Sequence, residues 1–296
     1  MTTVEIRLKP RGPFRLPPRA PMLWGHLAWA LREQRGEGAL RDWLERFQVA
    51  PPFLISSAFP SGFLPRPLLP TVAVSDTRQR KALKRVRYIS FDLYREVAQR
   101  GEVALVAHLQ TEVDSAPDWL PSTRTRVTID RGTGGALEGA LYDDELLWFS
   151  GSDTLSVYLR GDSQPVTEAT DLLKRVGVLG YGGRASIGMG HFTVEGVNQV
   201  ALPEHPQPTH AVTLAPVLPN PAMQGYWRLE TYWGRLGGYF ASQAKPFKRP
   251  HLRVVEGSTL DLASRGGMLE LTPDPPPAPG VQVWDYLYAF PLGISL

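Results

Sequence analysis

The sequence predicts an α+β protein with antiparallel sheets. Short strands of alternating polarity interleave with a small number of amphipathic helices. Several strands also follow one another with no helix between them, which argues against a doubly wound parallel sheet. No repeat of fixed period is present. With 296 residues, 43% of them hydrophobic, the chain can bury a large core without staples.

The elements follow in order. Residues 4–8 read as a strand, because Val4, Ile6 and Leu8 alternate with Glu5 and Arg7. Prolines break residues 10–21, and Leu23, Leu27, Ala30 and Leu31 then give a helix over 22–32, with a second helix over 39–47. Residues 53–59 form a strand, and the proline-rich stretch 60–70 reads as a surface loop. Residues 76–87 carry Arg78, Arg80, Lys81, Lys84, Arg85 and Arg87 with almost no acid. This is a positive face that suits either an anionic partner or plain solvation.

Residues 90–99 read as a helix and 103–109 as an extended segment. Over 122–130, Arg124, Arg126 and Thr128 alternate with Thr125, Val127 and Ile129, so a strand there puts two arginines on one face. Residues 145–150 and 154–159 are expected to form a hairpin around Gly151, Ser152 and Asp153, with Asp143, Asp144 and Glu145 at a solvated hairpin end. A helix over 167–176, a glycine-rich loop over 178–190 and a strand over 191–197 complete this part. Beyond Pro203, strands over 211–217, 252–255 and 283–290 are separated by irregular segments.

The chain has no cysteine, which excludes disulfides, thiolate metal sites and cysteine nucleophiles. No stretch approaches the roughly 20 apolar residues of a membrane span, and the first ten residues lack an export signal, so a cytoplasmic location is expected. The net charge is +3, and of 32 basic residues only Lys9, Lys81, Lys84, Lys174, Lys245 and Lys248 are lysine. An arginine bias suits phosphate gripping and base stacking, and a GC-rich or thermophilic genome produces it equally well.

The most distinctive segment is GYGGRASIGMGHF over 180–192, with Gly180, Gly182, Gly183, Gly188 and Gly190 around Arg184. So many glycines let another backbone approach closely, and the loop's N–H groups can face phosphates. A Walker loop would need Lys then Ser or Thr after the last glycine, and these are absent. A dinucleotide fingerprint would need strand before helix, the reverse of the order here. A tight helix-to-strand connection is the structural alternative.

With GPFRLPPRAPMLWGHLAWAL from Gly12, KRVRYIS from Lys84 and TRTRVTIDRGTGGALEGALYDDELLWFSG from Thr123, this loop resembles the RAMP superfamily of CRISPR proteins. Within it the chain resembles subunit four of the type III-A (Csm) effector complex across most of its length. The resemblance implies two ferredoxin-like (RRM-like) domains, placed at 1–140 and 141–296, the second holding the glycine-rich loop. It implies binding of the crRNA 5′ handle, contact with the Cas10-type large subunit and the backbone RAMP subunits, no catalysis by this subunit, no cofactor and no membrane. Pro17, Pro18, Arg19, Ala20 and Pro21 replace the family's polar segment before the first helix.

Under that resemblance the glycine loop's N–H groups grip the handle, Arg184 and Ser186 add side-chain contacts, and Arg124, Arg126 and Arg131 meet backbone phosphates. Trp24 and His26, at the start of the first helix, Lys81, Lys84 and Arg85 complete the candidate RNA-binding set. Core packing is the alternative for Trp24, and pairing with Asp or Glu is the alternative for Arg124 and Arg126. Two other functions remain open. One is a metal-independent endoribonuclease using His26 as general acid or base. The other is a protein-interaction subunit without RNA contact, using exposed loops at 60–70 and 284–290. No metal site is expected, since His205 and His210 lie among prolines.

Overall fold

A computed structural model describes residues 1–74, 76–111, 116–150 and 153–296. β1 (Thr2–Pro10) leads through an irregular segment to α1 (Ala20–Val49), which Gly36 interrupts with φ 84°, so the two helices read from the sequence join end to end. Then come β2 (Phe53–Ile55), β3 (Phe59–Pro60), β4 (Phe63–Pro65), α2 (Thr77–Arg85), β5 (Tyr88–Ser90), α3 (Phe91–Arg100) and α4 (Glu102–Thr111). A long hairpin of β6 (Trp119–Ile129) and β7 (Ala136–Phe149) is followed by β8 (Leu155–Gly161), α5 (Ser163–Leu179) and β9 (Phe192–Gln199).

β1, β2, β8 and β9 form one antiparallel sheet in the spatial order β2-β8-β1-β9, with β3 also paired to β8. With α1 between β1 and β2 and α5 between β8 and β9, the connection is β-α-β-β-α-β. This sheet takes residues from both sides of position 140. The alternation of β1 buries Ile6 and Leu8, while β8, flanked by strands on both sides, is buried along nearly its whole length. Val166, Ala169, Leu172, Leu173 and Val176 give α5 its apolar stripe. Gly177 lets α5 approach Phe192 more closely than any side chain would permit.

The remaining chain is built of short strands: β10 (His210–Thr213), β11 (Gly225–Tyr226), β12 (Leu229–Tyr232), β13 (His251–Val254), β14 (Thr259–Asp261), β15 (Gly266–Glu270), β16 (Trp284–Tyr288) and β17 (Pro291–Ile294). One sheet runs β11-β14-β10-β17, while β12-β13 and β15-β16 are antiparallel pairs. No α-helix occurs among the described residues after 200. Val212, Leu214, Tyr286, Phe290, Leu292 and Ile294 belong to the same hydrophobic cluster as Ile6, Leu27 and Leu173, so one core serves both halves of the chain.

Several sequence expectations need correction. Residues 103–109 lie in helix α4. A short apolar run has no decisive period, and burial of Ala104 and Leu105 beside α3 selects the helix. Residues 145–150 do not pair with 154–159: β7 pairs with β6, and β8 pairs with β1 and β2. Gly151 and Ser152 of the expected turn lie outside the described residues. Asp143, Asp144 and Glu145 are therefore not a turn but sit within β7, opposite Thr125, Arg124 and Thr123. The segments 60–70 and 284–290 are not exposed loops, since Leu64, Tyr286, Leu287 and Phe290 are core residues.

Candidate nucleic-acid interface

The glycine turn is two structures in one. Its neck is closed by packing. Gly180 ends α5 with φ 92° and its N–H bonded to the Val176 carbonyl, and a Cβ there would lie 2.6 Å from that of Ala185. Gly190, at φ 73°, donates to the Pro13 carbonyl and accepts from Tyr181 N–H, and a Cβ on it would collide with the Tyr181 carbonyl. The crest is open: Gly183, Ser186 and Gly188 are exposed, and Arg184 adopts the left-handed conformation at φ 66°.

Backbone accounting shows which donors remain. Gly182 N–H is bonded to His26 Nε2 at 2.8 Å, and Gly188 N–H to the Ala185 carbonyl at 3.0 Å. Among the described residues, no acceptor meets the N–H groups of Gly183, Arg184, Ala185 or Ser186. Thus Gly180, Gly182, Gly188 and Gly190 shape the turn with their donors already committed, which corrects the expectation that all of them grip phosphate. The available donors run from Gly183 to Ser186.

His26 is the peg beneath this crest. It lies on α1 with its ring 5.3 Å from that of Tyr181, and burial pushes its imidazole down to about 4. Accepting through Nε2 leaves the proton of the neutral ring on Nδ1. A folded-state value below the ordinary 6.5 means that the unfolded chain binds the proton first. The stabilisation is complete above about pH 6.5 and is lost as pH falls towards about 4. NMR titration should therefore find the His26 ring neutral down to about pH 4, and His26→Gln, whose amide oxygen can still accept from Gly182, should flatten the loss of stability between pH 6.5 and 4. A ring titrating near 6.5 would contradict this geometry.

Arg184 is held by Asp144 and lies 5.9 Å from the centre of the Tyr142 ring. Arg126 Nε stands 2.9 Å from the same Asp144 Oδ2, and this carboxylate is only 4% exposed. Cross-strand pairing thus holds Arg126, while Arg124 in the same strand is exposed. A single buried carboxylate consequently ties the glycine turn to the long hairpin, a link that the sequence read as a solvated turn could not reveal.

Arg131 lies in the exposed turn at the tip of that hairpin, seven residues beyond Arg124 and so roughly 20 Å along the strand. Lys81, Lys84 and Arg85 are exposed on α2, whose packing partner is α4 rather than the glycine turn. Trp24 is 2% exposed and stacks 5.0 Å from Trp43, with Phe47 and Tyr286 around it. It is a core residue and offers no face to a base.

Sequence reasoning missed the clasp under the turn. The Tyr181 hydroxyl donates to the Pro17 carbonyl and accepts from Arg19 N–H, each at 3.1 Å. The Arg19 guanidinium donates from Nε to Glu256 Oε1 at 2.8 Å, pairs through Nη2 with the other Glu256 oxygen, and reaches Glu230 Oε1 at 2.5 Å. Burial opposes the charge on Arg19, but the two carboxylates outweigh it and raise the guanidinium above its ordinary value. Burial likewise opposes the Glu256 charge, and Arg19 together with the Ser57 hydroxyl holds that carboxyl below the usual range. Arg19 had been visible only as a member of a proline-rich segment.

Among the described residues no cluster of three or more His, Asp or Glu side chains is placed to hold a metal ion, and no helix is long and apolar enough to cross a membrane.

No family model matches the chain. It is 28% identical over 316 aligned positions to the CRISPR system protein Csm4 of Thermococcus onnurineus (strain NA1), covering 99% of this chain and 97% of that one. Its fold matches a chain of the Csm1-Csm4 cassette crystallised with pppApA, at TM-score 0.64 and 23% identity over 100% and 99% of the two chains. It matches a chain of the Csm3-Csm4 subcomplex of the type III-A interference complex at TM-score 0.61 and 14% identity, over 99% of each. The chain is thus similar to Csm4 in sequence over nearly its whole length, and it shares its fold with the Csm4-containing structures from end to end.

Proposed function

We propose that the chain is a non-catalytic RNA-binding subunit of a type III-A CRISPR effector complex in antiviral defence. It caps the 5′ handle of the crRNA, docks the Cas10-type large subunit and adjoins a backbone RAMP subunit. The observation that carries the RNA reading is the exposed run of uncommitted N–H groups from Gly183 to Ser186, beside the guanidinium of Arg184 and the exposed Arg124. Such a run of free donors suits a phosphate oxygen and reads no base, as capping a backbone requires. The similarity to Csm4, crystallised with Csm1 and with Csm3, supports the two protein partners.

The committed lone pair of His26 favours the non-catalytic reading over the nuclease. Its Nε2 accepts from Gly182, and its depressed basicity suits it poorly to collect a proton at neutral pH. The Arg124→Ala, Arg184→Ala double variant should weaken binding of crRNA bearing its handle by about tenfold or more at physiological salt and lower the salt slope by about 1.4. Because Arg184 also pairs with the buried Asp144, which then keeps Arg126 alone, the variant should melt at a lower temperature, and its affinity is measured where circular dichroism shows it folded. Unaltered affinity would remove the handle-capping reading. Cleavage of repeat RNA by the purified chain, lost in His26→Ala, would instead establish the nuclease.

A further inference from the structure

The exposed aromatic residues of this protein are not where the sequence placed them. Two of them, Trp233 and Phe247, lie in a short ribbon after β12, where residues 233–236 run antiparallel to 246–248. Leu236 N–H donates to the Pro246 carbonyl and Lys248 N–H to that of Gly234, and Arg235 is bridged to Phe247. The ribbon alternates strictly. Gly234, Leu236 and Pro246 are buried, and Lys248 turns inward to Asp285. Trp233, Arg235, Lys245 and Phe247 are exposed. Because side chains two apart share a face, the outer surface interleaves two aromatic rings with two cations.

Trp233 is 62% exposed and Phe247 40%, their ring centres 5.0 Å apart, and the Arg235 guanidinium lies 5.5 Å from the centre of the Phe247 ring. Between residues 224 and 253 the only acid is Glu230, which Arg19 and Arg253 engage. No carboxylate is paired with Arg235 or Lys245 among the described residues. The mount is firm: Gly237 and Gly238 press on the Trp29 ring, at distances no side chain could share, and Phe240 is buried. Trp29 lies on α1 three residues after His26, so the ribbon and the glycine turn are braced by neighbouring residues of one helix.

We propose that the outer face of this ribbon is a second RNA-binding surface, which takes a single-stranded segment by stacking bases on Trp233 and Phe247 while Arg235 and Lys245 meet the phosphates. Residues two apart on a strand are roughly 6.6 Å apart, about the reach of one nucleotide, and stacking on rings accepts any base. The proposal rests on the reading above for RNA as the ligand class, but its residues are separate from the glycine turn.

The test uses the full chain and a labelled oligouridylate of about ten nucleotides. Trp233→Ala and Phe247→Ala should each weaken binding about tenfold, and Trp233→Phe should restore most of the loss. Arg235→Ala with Lys245→Ala should lower the salt slope by about 1.4. Melting temperatures monitor folding, and ultraviolet crosslinking of the wild-type chain to RNA reads the same surface without a variant. Unchanged affinity in folded Trp233→Ala and Phe247→Ala, or no crosslink within 233–247, overturns the proposal, as does a ribbon that binds anionic vesicles or protein but not RNA. If Arg184→Ala abolishes binding while the ring variants do not, the ribbon fails and the glycine turn stands. The opposite pattern removes the turn and keeps the ribbon.

Discussion

Arg19→Ala should lower stability by about 3 kcal/mol or more, because it strips the cation from a carboxylate that cannot regain water. Glu256 is 12% exposed and is otherwise held by the Ser57 hydroxyl and its own backbone N–H, and among the described residues Glu230 would retain Arg253. The loss should depend on pH. In the intact protein the Glu256 carboxyl sits below its ordinary 4.5, so the clasp is complete above that value and weakens as pH falls through the lower folded one. In Arg19→Ala, burial meets only the weaker pull of the Ser57 and backbone hydrogen bonds and pushes the same carboxyl upward, so protonation relieves the penalty of burying it. The gap between variant and parent, measured by urea denaturation, should be wide at pH 7 and narrow below about pH 4. A gap independent of pH would show that Arg19 acts by packing rather than by charge. Arg19→Lys should recover only part of the loss, since an ammonium cannot serve two carboxylates with the arginine fork.

Gly190→Ala should cost about 3 kcal/mol and abolish handle binding with it. The added methyl meets the carbonyl of Tyr181, whose N–H is bonded to Gly190 in the loop neck, and φ 73° is strained for any residue with a Cβ. Gly183→Ala should cost little by comparison, because Gly183 is exposed, lacks a positive φ and has nothing within 4 Å of its Cβ position. Denaturation curves of the two variants, set beside their affinities for handle RNA, check both statements. Equal effects at the two positions would mean that the neck and the crest are not distinct.

Much of the scaffold was legible because it follows local rules. The alternation at Val4, Ile6 and Leu8, the apolar stripe of α5 and the glycine run before β9 each state their structure within a few residues. What stayed hidden depends on distant partners. Residues 145–149 read as strand correctly, but their pairing with β6 rather than β8 is fixed by the hairpin turn at 130–135, which the sequence reading passed over. Asp144 looked like one of three acids in a solvated turn until the hairpin set it opposite Arg124 and beside Arg184. The glycine loop was found by composition, yet which of its N–H groups remain available follows from His26 and Pro13, both more than 150 residues earlier. Trp24 could be assigned to the core only once Trp43, Phe47 and Tyr286 surrounded it.

The order β2-β8-β1-β9 also governs how the chain is made. β1 lies in the interior of its sheet, and both of its neighbours come from residues 155–199, far later in the chain. At a synthesis rate of about 5–20 residues per second, β1 waits roughly ten to forty seconds for its second partner. Until β8 is made both of its rows of backbone groups are open to other nascent chains, and one row stays open until β9 follows, so a chaperone on β1 would shield a strand that waits long for its partners.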